Sequence, residues 1–256
     1  MKRVYKTVAV RQGEHGWGVA LDGRPLRTPA KRELVLPSAA LAAAIAAEWD
    51  AQRDDIRPAT MPLYRLAATA IDRTATQRER IAAEIANYAG TDLVCYRAER
   101  PPALAERQRA AWQPLIDWAT RRYDAALVVT SGVVPAAQPP AVLKAFSAAV
   151  AARDDFGLTA LHDLTAACGS LVIALGVVEG RLDPAGAFAA AQLDELFQAE
   201  AWGEDPEAAG RRETLARDIE AAARFAALLG AAPLVSPAAA RRGGATPARA
   251  RRSRAR

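Results

Sequence analysis

The residues best equipped for chemistry lie in one stretch, "DELFQAEAWGEDPEAAGRR", Asp194 to Arg212, which carries six carboxylates and one tryptophan. That composition suits three tasks: acid–base catalysis by paired carboxylates, oxygen ligation of a divalent cation, or the gripping of another protein by an aromatic anchor in a charged rim. Nothing around these acids sets up paired carboxylates in a substrate pocket, and none of the stretch has the ligand spacing of a cation loop. On a helix, at about 100° per residue, Leu193, Leu196, Phe197 and Glu200 share one face, while Asp194, Glu195, Gln198 and Trp202 lie on the other. A carboxylate therefore sits on the apolar side and a tryptophan on the polar side. Tertiary packing explains either inversion alone, with Glu200 paired to an internal arginine or Trp202 packed on the following helix. The functional alternative is a recognition patch: an exposed anchor with an acidic surround.

Other candidates for chemistry fail on spacing. No phosphate-binding P-loop is present. Gly13, Gly16 and Gly18 in "GEHGWG" lack the dinucleotide-binding spacing and join two strands instead of opening a helix. Ser170 in "CGSLV" has no glycine two residues on, as a nucleophile elbow requires, and reads as a buried helix residue. A phosphatase-type thiolate at Cys95 would need an arginine where the chain has Pro101, so Cys95 reads as a small buried hydrophobe. His15 and His162 are far apart, and Asp163, adjacent to His162, faces another way on a helix, so neither a general base nor a zinc site is supported. Tyr88, Asp92, Tyr96 and Arg97 in "NYAGTDLVCYRAE" mix aromatics with charge, which suits a contact site and a structural junction equally. No enzyme activity, cofactor or metal is expected.

The elements that position these residues divide the chain. "RVYKTVAVRQ" alternates with period 2, "WGVALDGRPLRTP" carries an Asp22-Gly23 hairpin signal, and "ELVLP" reads as a further strand. Ser38 stands at an N-cap before Leu41, Ile45 and Trp49 at helical spacing. After Pro62 helical periodicity predicts helices over 63–88, 102–123, 140–153, 157–178, 184–202 and 206–229, interrupted by one short strand, "ALVVTSG". Asp183-Pro184 and Asp205-Pro206 mark two helix starts, each with Asp at the cap and Pro in the first turn. The expected fold class is α+β: a small strand-rich N-terminal α+β domain (1–60), a larger mostly helical domain (61–232), and a disordered arginine-rich tail (233–256).

Composition bounds the partners. The chain has 256 residues and a formal charge of +5, but seven arginines and no acids fall between Pro237 and Arg256, leaving −2 for the rest. The body is mildly acidic and has no basic stripe for nucleic acid. The two cysteines, Cys95 and Cys168, build no disulfide framework, which fits a reducing compartment. No apolar window is long enough to span a bilayer, and "MKRVYKTVAVRQ" reads as strand, not as a signal or transit segment. The expected location is the cytoplasm.

"LDGRPLRTP", "EWDAQ", "MPLYRLAATAID", "YAGTDLVCYRAE", "QPLIDW" and "LDELFQAEAWGED" follow one another over Val4 to Leu229. In that order and spacing they resemble the family of F-type ATP synthase assembly chaperones specific for the alpha subunit of the soluble catalytic head. The resemblance implies an ATP-independent, non-enzymatic chaperone that holds the free alpha subunit until beta covers its interface, here expected to act as a monomer. It also implies that Glu200, Trp202, Glu204 and Asp205, in the tryptophan–glycine–acid motif, touch the partner; Asp92 and Arg97 are the further candidates. The competing class is a nucleic-acid-binding protein acting through the arginine tail.

Overall fold

The computed structural model describes residues 2–132 and 136–230; the arginine-rich tail lies outside the described residues. β1 (Val8–Gly13), β2 (Gly16–Leu21) and β3 (Arg24–Pro25) form an antiparallel sheet in that order. β1 and β2 pair from Val8 opposite Leu21 to Gly13 opposite Gly16, closing on the Glu14–His15 loop. At the next turn Asp22 and Gly23 have φ of 48° and 77°, the primed hairpin geometry that their sequence predicts. The "ELVLP" stretch pairs only through single bridges, Glu33 to Arg27 and Leu36 to Trp17. It closes tightly on the hairpin: a Cβ at Gly16 would lie 2.6 Å from the Leu36 carbonyl oxygen, so this position requires glycine.

α1 (Ala39–Asp50) begins where Ser38 accepts from the Leu41 N–H at 3.0 Å. It buries Leu41, Ile45 and Trp49 in a first core with Val19, Leu34, Leu36, Met61, Leu63 and Leu66, which Phe225 also enters. Met61 offers α2 (Pro62–Asp72) no side-chain cap. Glu48 of α1 supplies it instead, accepting from the main chain of Leu63 and Tyr64 at 2.8 Å each. A carboxylate so placed satisfies orphan donors and faces the positive end of the helix.

The remaining helices are α3 (Arg78–Asn87), α4 (Pro102–Tyr123), α5 (Pro140–Ala151), α6 (Asp155–Cys168), α7 (Leu171–Val178), α8 (Pro184–Ala191), α9 (Leu193–Trp202) and α10 (Pro206–Leu228). Between them β4 (Tyr96–Arg97) pairs in parallel with β5 (Thr130–Ser131), all that forms of the expected "ALVVTSG" strand. A second core joins Trp112, Phe146, Leu158, Leu161, Leu164, Ile173 and Ile219 across α4 to α10. Three expected helices are each two. Residues 63–88 break at a 3-10 turn over Thr74–Thr76, and 184–202 break at Gln192. Residues 157–178 break at Gly169, φ 62°, and Ser170 then caps α7 through the Ile173 N–H at 3.0 Å.

Candidate protein-recognition surface

α9 carries the first half of the acidic stretch, and none of its residues is buried. Its packing on α4 is polar. Glu200 accepts from Arg107 Nη1 at 2.6 Å, and the Arg107 guanidinium lies 5.1 Å over the Phe197 ring. Asp194 accepts from Gln108 Nε2 at 2.8 Å. Asp194 therefore turns toward α4 beside Phe197 and Glu200, not away from them as the simple face assignment has it; the preference of its carboxylate for the Gln108 amide decides this. Arg107 is exposed, so Glu200 is tied to a surface arginine and not an internal one. Such a pair contributes at most about 1 kcal/mol.

α9 ends at Trp202. Gly203 follows with φ 92° and ψ 164°, a conformation that only glycine adopts readily. Trp202 does not pack on the following helix: 81% of it is exposed. Beyond the turn Glu204 pairs with Arg212 of α10, and Asp205 caps α10 by accepting from the Ala208 N–H at 2.8 Å, with Pro206 in the first turn. Asp205 and Glu207 favour the α10 N-terminus electrostatically. Glu200, Trp202, Glu204 and Asp205 thus lie along one exposed helix–turn–helix ridge. The acids spread along it instead of converging; among the described residues no three His, Cys, Asp or Glu side chains gather where they could hold a metal ion.

Arg97 is joined to this ridge from beneath, through Gln108, a residue that composition did not single out. Arg97 Nη1 donates to the Gln108 carbonyl at 3.0 Å, and Gln108 Oε1 accepts from the Ala98 N–H at 2.6 Å. The Arg97 guanidinium lies 5.1 Å over the Trp112 ring, burial lowers its pKa, and its Nη2 is buried with no partner among the described residues. Arg97, Gln108 and Asp194 form a continuous polar path from β4 through α4 to α9. Its sequence signal was an uncharged glutamine in a charged helix, "AERQRAAW".

Asp92 is elsewhere and fully enclosed, with 0% exposure, so in this structure it presents no contact surface. It accepts from Ser170 Oγ at 2.6 Å, the Val172 N–H at 3.0 Å and the Val94 N–H at 3.2 Å. It is the junction that ties the Leu93–Cys95 turn to the start of α7. Burial pushes its carboxyl up to about 6 against the pull of those donors. Burial, with the Asp92 charge adding, pushes both Cys95 and Cys168 up to about 12; neither is a thiolate near neutral pH, and both are inert core thiols. A cleft of about 670 Å³ between α6, α7 and α10 has Glu179 in its wall, held by Arg122 Nε at 2.6 Å and Arg153 Nη2 at 2.8 Å. Two cations there share one anion, and Arg153 Nε is buried with no partner among the described residues.

With the geometry in place, the chain aligns with a class of chaperones of known structure. The crystal structure of Atp12 from Paracoccus denitrificans matches with a TM-score of 0.87 and 46% identity, covering 90% of this chain and 98% of that one. The Atu1473 protein of Agrobacterium tumefaciens matches with a TM-score of 0.86 and 42% identity, covering 90% and 86%. Protein atp12, mitochondrial, of Schizosaccharomyces pombe is 22% identical over 214 residues, 79% of this chain and 74% of that protein. The profile of the family described as ATP12 chaperone protein matches residues 2–120. The chain belongs to the ATP12 chaperone family, which comprises assembly chaperones of the F-type ATP synthase and not enzymes.

Proposed function

We propose that this protein binds the free alpha subunit of the F-type ATP synthase catalytic head and keeps it from aggregating until it pairs with beta, without using ATP. The observation that carries the reading is Trp202, 81% exposed at the end of α9 and flanked by Glu200, Glu204 and Asp205. Leaving an indole in water is unfavourable, and seating it in a partner's pocket recovers the area as binding energy. The acids around it supply an electrostatic rim that speeds encounter and adds little lasting affinity. A holder that must yield its cargo to beta needs that balance: one anchor and a polar border, not a wide apolar interface. Arg97, through Gln108, supports the ridge; Asp92 supports the fold that carries it.

We read the protein as a monomer of the bacterial cytoplasm. Bacterial relatives and the absence, among the described residues, of any helix long and apolar enough to cross a membrane support that setting. The second reading, nucleic-acid binding, rests on the seven arginines of the tail; against it stands the net charge of −2 on the remaining chain.

The test is an affinity pull-down from lysate of the source organism, with captured proteins identified by mass spectrometry. Recovery of the alpha subunit without beta is the expected result. Glu204→Lys combined with Asp205→Lys should slow association and reduce that recovery, at some cost to the start of α10, whose cap is Asp205; undiminished capture by the folded double variant would remove the ridge from the interface.

A further inference from the structure

We propose that the free edge of β1 is a second docking site, one that takes an extended partner segment of alternating apolar and acidic residues as an added strand. The proposal goes beyond the alpha-subunit reading and does not rest on it. The hairpin register settles which main-chain groups are free. Gly13 pairs with Gly16 around a two-residue loop, and the Asp22 N–H donates to the Thr7 carbonyl at 3.0 Å. The residues bonded to β2 are therefore Thr7, Ala9, Arg11 and Gly13, and antiparallel pairing alternates. Val8, Val10 and Gln12 direct their N–H and C=O groups outward, where they have no main-chain partner among the described residues. An open row of this kind is a template for another strand.

Side chains along the edge specify what would fit. Val8 and Val10 share one face with Val19 and Leu21 of β2. Val8 packs on the first core, while Val10 overhangs it, 37% exposed. An apolar residue on the added strand would complete that overhang. Ala9 and Arg11 are on the other face, and Arg11 is exposed, held among the described residues only by a 3.4 Å contact to the Gly23 carbonyl. Of the five cations among residues 2–25, Lys2 and Arg3 pair with Asp55 and Asp50, and Arg24 lies on β3, the far strand of the sheet, which leaves Lys6 and Arg11 beside the β1 edge against Glu14 and Asp22. The Asp22 carboxylate is already engaged by the main chain of Lys6 and Thr7. Arg11 is thus the one charged residue of β1 itself, exposed on the face opposite Val8 and Val10. Two copies pairing edge to edge would bring two Arg11 side chains onto one face, so charge favours a partner strand with an acid at that position over a second copy.

The probe is an acetylated, amidated heptapeptide, Thr-Val-Glu-Val-Glu-Val-Thr, titrated to about 1 mM into the full isotope-labelled chain and followed by amide NMR. Shifts should appear at Val8, Val10 and Gln12 ahead of Ala9 and Arg11. A lysine-for-glutamate peptide should bind at least about tenfold more weakly at low salt. Val10→Pro, which deletes one outward N–H and leaves the β1–β2 bonds in place, should weaken binding about tenfold. If Val10→Pro disturbs Ala9, Arg11 or Ala20, Arg11→Glu serves instead and should reverse the peptide preference. Absence of shifts at the three outward amides, equal binding of both peptides, or the same shifts produced by protein concentration alone would each overturn the proposal.

Discussion

At the scale of single residues, Trp202 and Asp92 do opposite work. Trp202 has almost no structural neighbours, so Trp202→Ala should leave the thermal midpoint within a degree or so while weakening alpha-subunit binding by about 30-fold or more, the cost of a buried aromatic anchor; titration calorimetry beside thermal unfolding checks both halves. Asp92 is all structure. Asp92→Ala leaves the Ser170 hydroxyl and two main-chain N–H groups unpaired inside the protein, a loss of about 3 kcal/mol or more. Its pH signature has a definite sign. Burial pushes the folded carboxyl up to about 6, above its ordinary value of 3.8, so its contribution to stability is full below the lower value and falls away as pH rises through the upper. About 3 kcal/mol is at stake across that window. Urea unfolding at pH 3.5 to 7 should show the decline, and Asp92→Asn should flatten it.

Helix ends were the most legible elements, because capping is local. Asp183-Pro184, Asp205-Pro206, Ser38 and the Asp22-Gly23 turn are all where the sequence puts them. Helix interiors misled. "LTALHDLTAACGSLVIALGVV" is apolar through both α6 and α7, and that continuity hid the left-handed Gly169 and the Ser170 cap beside it. Ser170 was legible as buried but not as a cap, since the acceptor it donates to, Asp92, lies 78 residues away. Ser170→Ala removes both bonds and should lower stability by about 2 kcal/mol, a fall of several degrees in calorimetry. α9 was hard for the opposite reason. Its short apolar face, Leu193, Leu196 and Phe197, shows in the periodicity, but its contacts with α4 are hydrogen bonds, an ion pair and a cation over a ring, whose partners lie more than eighty residues away in the chain.

For the molecule as a whole, charge is segregated by position in the chain: cations crowd the first strands and the last twenty residues, and acids dominate between. Removing everything after Pro233 should leave alpha-subunit capture unchanged, because the proposed contact residues Glu200, Trp202, Glu204 and Asp205 all precede it in the chain; loss of capture in the pull-down would assign it a part. Association should slow as salt rises, since an acidic rim steers encounter over a screening length of about 8–10 Å, while dissociation, governed by the anchor, should hardly respond. The burial pattern of α9 carries a further consequence. A helix with no fully buried side chain, which touches the second core through the half-buried Leu193 at its first turn, can fray from its Trp202 end without opening either core. If the ridge holds the cargo as proposed, the lifetime of that complex should be uncoupled from the melting of the chaperone: fraying of the end of α9 would release the cargo while the rest of the chain stays folded and ready for the next subunit.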